Sequence, residues 1–461
     1  ETLGGKSVAT IDTEAFDGCT SLKTVSIPMT VKNIYEPPFP NCTNLTAINV
    51  NASNTAYKSV DGVLYTKDGK TLICCPLAKS GSVTIPSGTT TIKANAFDGC
   101  SKVTSISIPV SVTAIGSGAF QYCSSLTSIS IPAGVTSIGY WVFDFCSNLS
   151  SIIVDPSNTA YKSADGVLYS KNGIEVIRCP EGKSGSCAIS YGATSIKAYA
   201  FYKCSIITDI TIPNSVKVIA DNAFVSCSGL TGVIIPGSVT SIGRASFDTC
   251  NNLTMFNVDE SNTVYKSIDG VLFSKDGTVL LNCPQGKSGS IAIPNGVTSI
   301  GECGFYCCSK LKSISIPNSV TSIGDSAFAL CWNLTNITIP SGVKSIEDCT
   351  FWGCFSLVSV AIPSGVTSIG TYAFEECVKL TSVSIPNSVK TIGSNAFDQC
   401  SGLTGITIPA SVTSIGSYAF SICTSLKDAY FFGNTPTMDS TAFSGCAAGF
   451  TVHYLSTSTG F

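Results

Sequence analysis

Histidine is all but absent from this chain: His453 is the only one among 461 residues. A Ser/His/Asp or Cys/His nucleophile system therefore cannot be assembled anywhere else. Position 453 itself lies in Thr451-Val-His-Tyr and reads as a strand residue of the terminal cap. Charge is scarce too, at 12% of residues, about half the usual share. The 26 basic and 29 acidic side chains leave a net charge of −3, with no basic stretch. Nucleic-acid binding and adsorption to a membrane surface thus lack electrostatic support. No run of 18 apolar residues is present to span a bilayer. No CxxC pair occurs, and Cys74–Cys75 and Cys307–Cys308 are adjacent, which argues against zinc. Asp61, Asp165 and Asp269 lack the Asp-x-Asp-x-Asp spacing of a calcium loop and fit turns instead. There is no glycine-rich phosphate loop. Glu375 and Glu376 read as a pair of exposed, solvated carboxylates rather than an acid/base dyad. The expectation is a protein without catalytic, cofactor-binding or metal-ligating residues. The chain opens at Glu1 in mid-repeat, without Met or a leader-like segment, which reads as a mature or trimmed product.

What is present is periodic. Phenylalanines recur every 23 residues from Phe16 through Phe120 to Phe443, each followed three places later by cysteine, from Cys19 to Cys446. Three intervals, Phe39 to Phe97, Phe143 to Phe201 and Phe247 to Phe305, measure 58 residues, or two repeats plus a 12-residue insertion. They recur every 104 residues, so a larger unit has been duplicated. Such periods mark solenoids, whose coils bury their apolar faces only against neighbours. The reading is one elongated solenoid over residues 1–461, of about 18 coils and roughly 80–90 Å at a strand spacing of about 4.8 Å.

One repeat shows the local grammar. Ser128 and Ser130 alternate with Ile129 and Ile131, the period-2 signal of a half-buried strand. Pro132 ends the strand, because it has no N–H to donate. Val135 and Ile138 form a second short extended piece, Gly139 a bend. The following Gly-x-x-Ala-Phe-x-x-Cys segment is predicted to make one α or 3₁₀ turn. Stacked, the strands form a parallel sheet on one face and the helical turns the other. Outward strand positions are mostly Ser and Thr. Ile153, Ile234 and Met255 depart from that and are candidate partner-binding positions.

The insertions read alike from Tyr57, Tyr161 and Tyr265, in coils spanning about 51–84, 155–188 and 259–292. Asp68-Gly69, Asn172-Gly173 and Asp276-Gly277 are hairpin signals, so three inserted β-hairpins are expected to stand off the scaffold. Each hairpin either closes a coil that lacks its helical turn or carries binding residues. The candidates there are Tyr57, Tyr65, Asp68, Tyr161, Tyr169, Asn172, Tyr265, Phe273 and Asp276. The 23 cysteines read chiefly as buried free thiols, one per coil, acting as small hydrophobes. Neighbouring rungs also fall within disulfide range, and the odd total leaves at least one unpaired.

The repeat Leu-Thr-Ser-Ile-Ser-Ile-Pro-x-x-Val-Thr-Ser-Ile-Gly-x-x-Ala-Phe-x-x-Cys resembles the leucine-rich repeat of BspA-like, Treponema-type surface proteins. The Asp-Gly-Val-Leu-Tyr-Ser-Lys insertion is similar as well, and residues 430–461 resemble that family's C-terminal cap. The resemblance implies a β-dominated leucine-rich-repeat solenoid that is secreted or displayed on a cell surface. It implies adhesion to host proteins, glycans or other cells, and the chain itself is expected to be a monomer without membrane insertion. The alternative is a passive spacer or coat component. One departure is Tyr35-Glu-Pro-Pro-Phe-Pro-Asn, where Pro37, Pro38 and Pro40 exclude a regular turn and predict local extension.

Overall fold

The structure is a computed structural model that describes residues 2–3 and 6–460; Phe461, the last residue assigned to the cap, lies outside the described residues. It divides into two compact units, Glu1–Cys227 with Ser241–Ser246, and Ser228–Thr240 with Phe247–Phe461. Each is a β-solenoid. Together they hold about 19 coils, one more than the repeat count predicts, because the cap strand Thr451–Tyr454 pairs in parallel with Asp428–Phe431 and adds a coil.

Each coil contributes a longer and a shorter strand to two parallel ladders, in registers offset by 23 residues. Ser128 pairs with Ser151, and Ala114–Ile115 pairs with Ser137–Ile138. This register sets every repeat position on top of its equivalent, so like side chains stack in columns. Pro132 ends its strand and its carbonyl accepts from Val135 N–H at 3.2 Å, closing the corner. Gly139 is required at the next corner: a Cβ there would lie 2.4 Å from Ser117 N of the preceding coil. In the second unit the phenylalanines from Phe305 to Phe443 stack with centroids 5.0–5.4 Å apart and planes within 15° of parallel.

The Phe-bearing segment is not helical, contrary to the expected α or 3₁₀ turn. Residues two before and two after Phe are left-handed: Asn95 (φ 56°) and Gly99 (φ 76°) around Phe97, Trp141 and Phe145 around Phe143, Tyr199 and Lys203 around Phe201. In the Phe97 coil, Asn95, Phe97 and Gly99 donate to Ser117, Ala119 and Gln121 carbonyls of the next coil. Asp98 and Cys100 donate three residues back, to Asn95 and Phe97. A left-handed non-glycine residue costs roughly 1–2 kcal/mol. The inter-coil bonds offset it, since an unpaired buried N–H would cost a comparable amount. Ala-Phe-x-x-Cys spacing suits a helix equally well, so only the neighbouring coil reveals the difference.

The neighbouring coil also explains the cysteine. Cys123, Cys146, Cys354 and Cys400 each donate S–H to the carbonyl of the phenylalanine one coil back, at 3.0–3.2 Å. The column is a ladder of thiol donors, and among the described residues no cysteine is held in a disulfide. Burial pushes the Cys146 and Cys354 thiols up, each to about 12.

The insertions are woven into the coil rather than standing off it. In the first, Tyr57–Val60 and Val63–Thr66 form a hairpin closed by Asp61-Gly62, both with positive φ as a type I′ turn requires. Val63–Thr66 then pairs antiparallel with Thr71–Cys74 across a bulge, and Thr71–Cys74 pairs in parallel with Thr91–Ile92 of the next coil. Gly62 sits so close to Ala47 that a Cβ would lie 3.0 Å away. This contact folds the hairpin down onto the coil. Asn54 and Asn158, buried at the entries, each donate twice to corner carbonyls one coil back and accept from two N–H groups of the insertion.

Each insertion removes one Phe/Cys turn from its column. The Cys-Pro segment spans the vacancy: Cys75 N–H donates forward to Ala96 O and Ala78 N–H back to Leu45 O. Cys179/Ala200 and Gly182/Leu149 repeat the arrangement. A notch remains on the turn side at the first and second insertions. The proline segment borders the first one. Phe39 still stacks 5.4 Å from Phe16 and Asn41 stays left-handed.

Candidate functional site

The hairpin residues selected from sequence separate into three groups. Tyr65, Tyr169 and Phe273 are at most 1% exposed and belong to the core, so they cannot meet a partner. The cause is the folded-down insertion: Val63, Leu64 and Tyr65 are all buried, so the strand is covered on both faces, and the Tyr169 hydroxyl accepts from Ser190 N–H at 3.1 Å. Tyr57, Tyr161 and Tyr265 are half-buried, and the hydroxyls of the first two accept from Ile34 and Ile138 N–H. Asp68, Asn172 and Asp276 are exposed at tips, but their oxygens are engaged within the turn. Thr66 Oγ1 and Lys70 N donate to Asp68 Oδ1, and Ser170 and Ile174 serve Asn172 likewise. Donation by Ser274 and Thr278 holds Asp276 down at about 2. Ile153, Ile234 and Met255 are half-exposed on strand faces. Ile234 and Met255 lie on paired strands, diagonal to each other.

Glu375 is half-buried, not the fully solvated carboxylate expected. Burial, then Asp398 and Glu376, push it up to about 7. Among the described residues no group of three or more His, Cys, Asp or Glu side chains is placed to hold a metal ion. No helix of the described residues is long and apolar enough to cross a membrane.

The most developed cavity chemistry lies in the second notch, within the first unit. Three charged groups converge there, with Lys203 beside them. Asp144 follows Phe143 on the last turn before the vacancy, while Arg178 and Glu181 flank the Cys-Pro segment spanning it. Arg178 Nη2 meets Asp144 Oδ1 and Glu181 Oε1, each at 2.9 Å, and Nη1 donates to Tyr199 O at 2.9 Å. Glu181 Oε1 also accepts from Phe145 N–H at 2.7 Å. That left-handed residue would otherwise donate to the absent turn. Burial pushes both carboxyls up, outweighing the opposing pull of Arg178.

Around this floor stands a group of aromatic rings. Tyr122 and Phe145 stack at 4.3 Å, Phe145 meets Tyr202 edge-on at 6.2 Å, and Tyr202 meets Tyr199 edge-on at 5.9 Å. Lys203 Nζ lies 4.0 Å from the Phe145 ring centre, and Arg178 5.9 Å from that of Tyr202. Trp141 is 59% exposed and Tyr199 40%. With Gln121, Asp144, Phe145 and Tyr202 they line a cavity of about 250 Å³. Solvated aromatics around a convergent polar floor are what small-ligand sites need.

Sequence reading passed over all of these residues. They occupy variable repeat positions, where other coils carry residues such as Asn95 and Gly99. The available signal was the change from Cys74-Cys-Pro-Leu77 to Arg178-Cys-Pro-Glu181 at otherwise matching insertions.

The comparisons agree with this architecture. The BspA type leucine rich repeat region matches residues 4–60, 74–184, 181–275, 282–400 and 344–458. No curated protein matches the chain in sequence. Among solved structures, a leucine rich cell surface protein from Faecalibacterium prausnitzii is 28% identical, over 81% of this chain and 94% of that one, with a TM-score of 0.53. A leucine-rich repeat protein from Bacteroides ovatus is 25% identical over 87% of this chain and 97% of that one, with a TM-score of 0.42. Another, from Eubacterium ventriosum, is 23% identical over 79% and 92%, with a TM-score of 0.47. With the repeat matched along nearly its whole length, the chain belongs to the BspA-type leucine-rich repeat family.

Proposed function

We propose that this chain is a non-catalytic recognition protein of the cell surface, holding an extracellular ligand in the notch left by its second insertion. The observation that carries the reading is the exposure of Trp141 and Tyr199 over the buried Asp144–Arg178–Glu181 group. A scaffold optimised only for stability gains little from solvated aromatic rings. A clustered set on a rigid framework marks a contact surface. The cell-surface placement is supported by the family and by the description of the Faecalibacterium relative. Low charge favours a ligand recognised by shape and neutral hydrogen bonds over one steered electrostatically.

The spacer alternative draws support from the strand face. Ser105 Oγ donates to Ser82 Oγ, and Ser313 Oγ to Ser290 Oγ, each at 2.7 Å. Hydroxyls bonded to one another along a column offer fewer free groups to a partner. The test is a screen of the purified chain against immobilised extracellular-matrix proteins and mucosal glycans. Saturable binding supports recognition. Absence of binding to every surface leaves the spacer reading and overturns the proposal.

A further inference from the structure

We propose that the ligand class of the second notch is a neutral carbohydrate, with a sugar ring held between the exposed aromatic rim and the Asp144 carboxylate. The inference rests on the recognition reading above and names its ligand.

Three features select this chemistry. First, a pyranose presents C–H groups on its faces and hydroxyls at its edge. Aromatic faces carry negative potential that attracts such C–H groups, and Trp141 and Tyr199 supply solvated rings beside the cavity. Second, the polar groups lining the cavity both accept and donate. Asp144 is 4% exposed yet lines the space, so its carboxylate can accept from a hydroxyl, while the Gln121 amide can do either. A buried acceptor of this kind raises selectivity, because a ligand without a donor leaves it unsatisfied.

Third, the charges are spent within the site. Arg178 is shared among Asp144, Glu181 and the Tyr199 carbonyl, and Lys203 sits over the Phe145 ring. Two carboxylates and two cations balance, so the notch has no net charge with which to attract a charged ligand. A proline-rich peptide is the competing occupant, since aromatic grooves bind such segments. Proline has no N–H to offer Asp144, which favours the sugar.

The test is an array of neutral hexose and N-acetylhexosamine oligosaccharides, probed with the full chain and with Trp141→Ala, Tyr199→Ala and the double variant. Both side chains are exposed, so the thermal transition should be unchanged, which circular dichroism checks. Binding of one or more array members, weakened at least tenfold by either substitution and abolished by both, is the expected result. Gln121→Ala should also weaken binding and alter the order of preferred sugars. A blank array, or binding indifferent to the double variant, overturns the carbohydrate assignment. So does a panel of proline-rich peptides binding where sugars do not. Immobilised matrix proteins serve as a separate arm. If they are bound while the array stays blank, the ligand class is wrong and recognition stands. If both are blank, both readings fall.

Discussion

The first and second notches start from the same backbone problem and fill it with different side chains. Both lie where an insertion has removed a turn, so N–H groups of the preceding Phe segment face a vacancy. In the first, Pro37 removes one of these donors, Asn41 keeps its N–H at the position matching Phe145, and Leu77 stands where the second has Glu181. A cavity of about 420 Å³ remains, walled by Pro38, Phe39, Leu45 and Leu77 among others. In the second, Phe145 keeps its N–H and Glu181 accepts it, with Arg178 and Asp144 completing the group. The aromatic cavity there is smaller. The first notch keeps a hollow of mixed lining, with Glu36, Asn41, Asp98 and Lys102 beside the apolar residues, whereas the carboxylate of the second is met by a cation and stands beside a group of rings. A duplicated unit can thus hold its main chain constant while its notches diverge chemically.

The largest effect that would break this comparison is Arg178→Ala. It strands Asp144 and Glu181 as buried carboxylates without their cation and should cost about 3–5 kcal/mol. Cys74→Ala at the matching position of the first notch should cost under about 1 kcal/mol. Denaturant melts of the two variants give the difference, and equal losses would show the ionic group to be unimportant.

A core test comes next. Tyr169→Ala should cost about 3–5 kcal/mol, as for other large buried aromatic truncations. Asn172→Ala, three residues away at an exposed tip, should cost only about 0.5–1 kcal/mol through its lost turn bonds. Similar values for the two would mean that the insertion does stand off the coil.

A third prediction contrasts carboxylates with and without a cation. Glu375 packs against Asp398 and Glu376, and its folded-state value is raised to about 7 from 4.5. The folded state therefore holds that proton more tightly than the unfolded chain. Stability should rise as pH falls from about 7 to 4.5, and Glu375→Gln should flatten that portion of the profile. The effect is smaller than the first two because the group is only half-buried. A profile unchanged by the substitution would assign the slope to other groups.

The smallest expected effect is at Asp276, whose carboxyl is held down at about 2. Lowered values stabilise the folded state above the ordinary carboxyl range, so the tip's contribution should disappear as pH falls from about 4 through 2. Local amide exchange around Ser274–Thr278 checks it. Protection unchanged at pH 2 would deny the turn bonds any weight.

Sequence alone determined the repeat, the parallel stacking, the inward Phe and Cys columns and the place of each insertion. These follow from period and alternation, which are local properties of the chain. It also placed the tip turns at Asp68, Asn172 and Asp276. Tertiary structure decided what depends on the adjacent coil. The Phe segment is left-handed at alternate corners because its N–H groups serve the next coil. Cysteine occupies its column because a carbonyl one coil back needs a donor. Tyr65, Tyr169 and Phe273 are core because the hairpin folds inward over a missing turn. Trp141, Asp144, Arg178, Glu181 and Tyr199 come from separate stretches of the chain, and only stacking at roughly 4.8 Å brings them to one cavity. Periodicity reports what every coil shares, whereas this site is built from positions where one pair of coils differs.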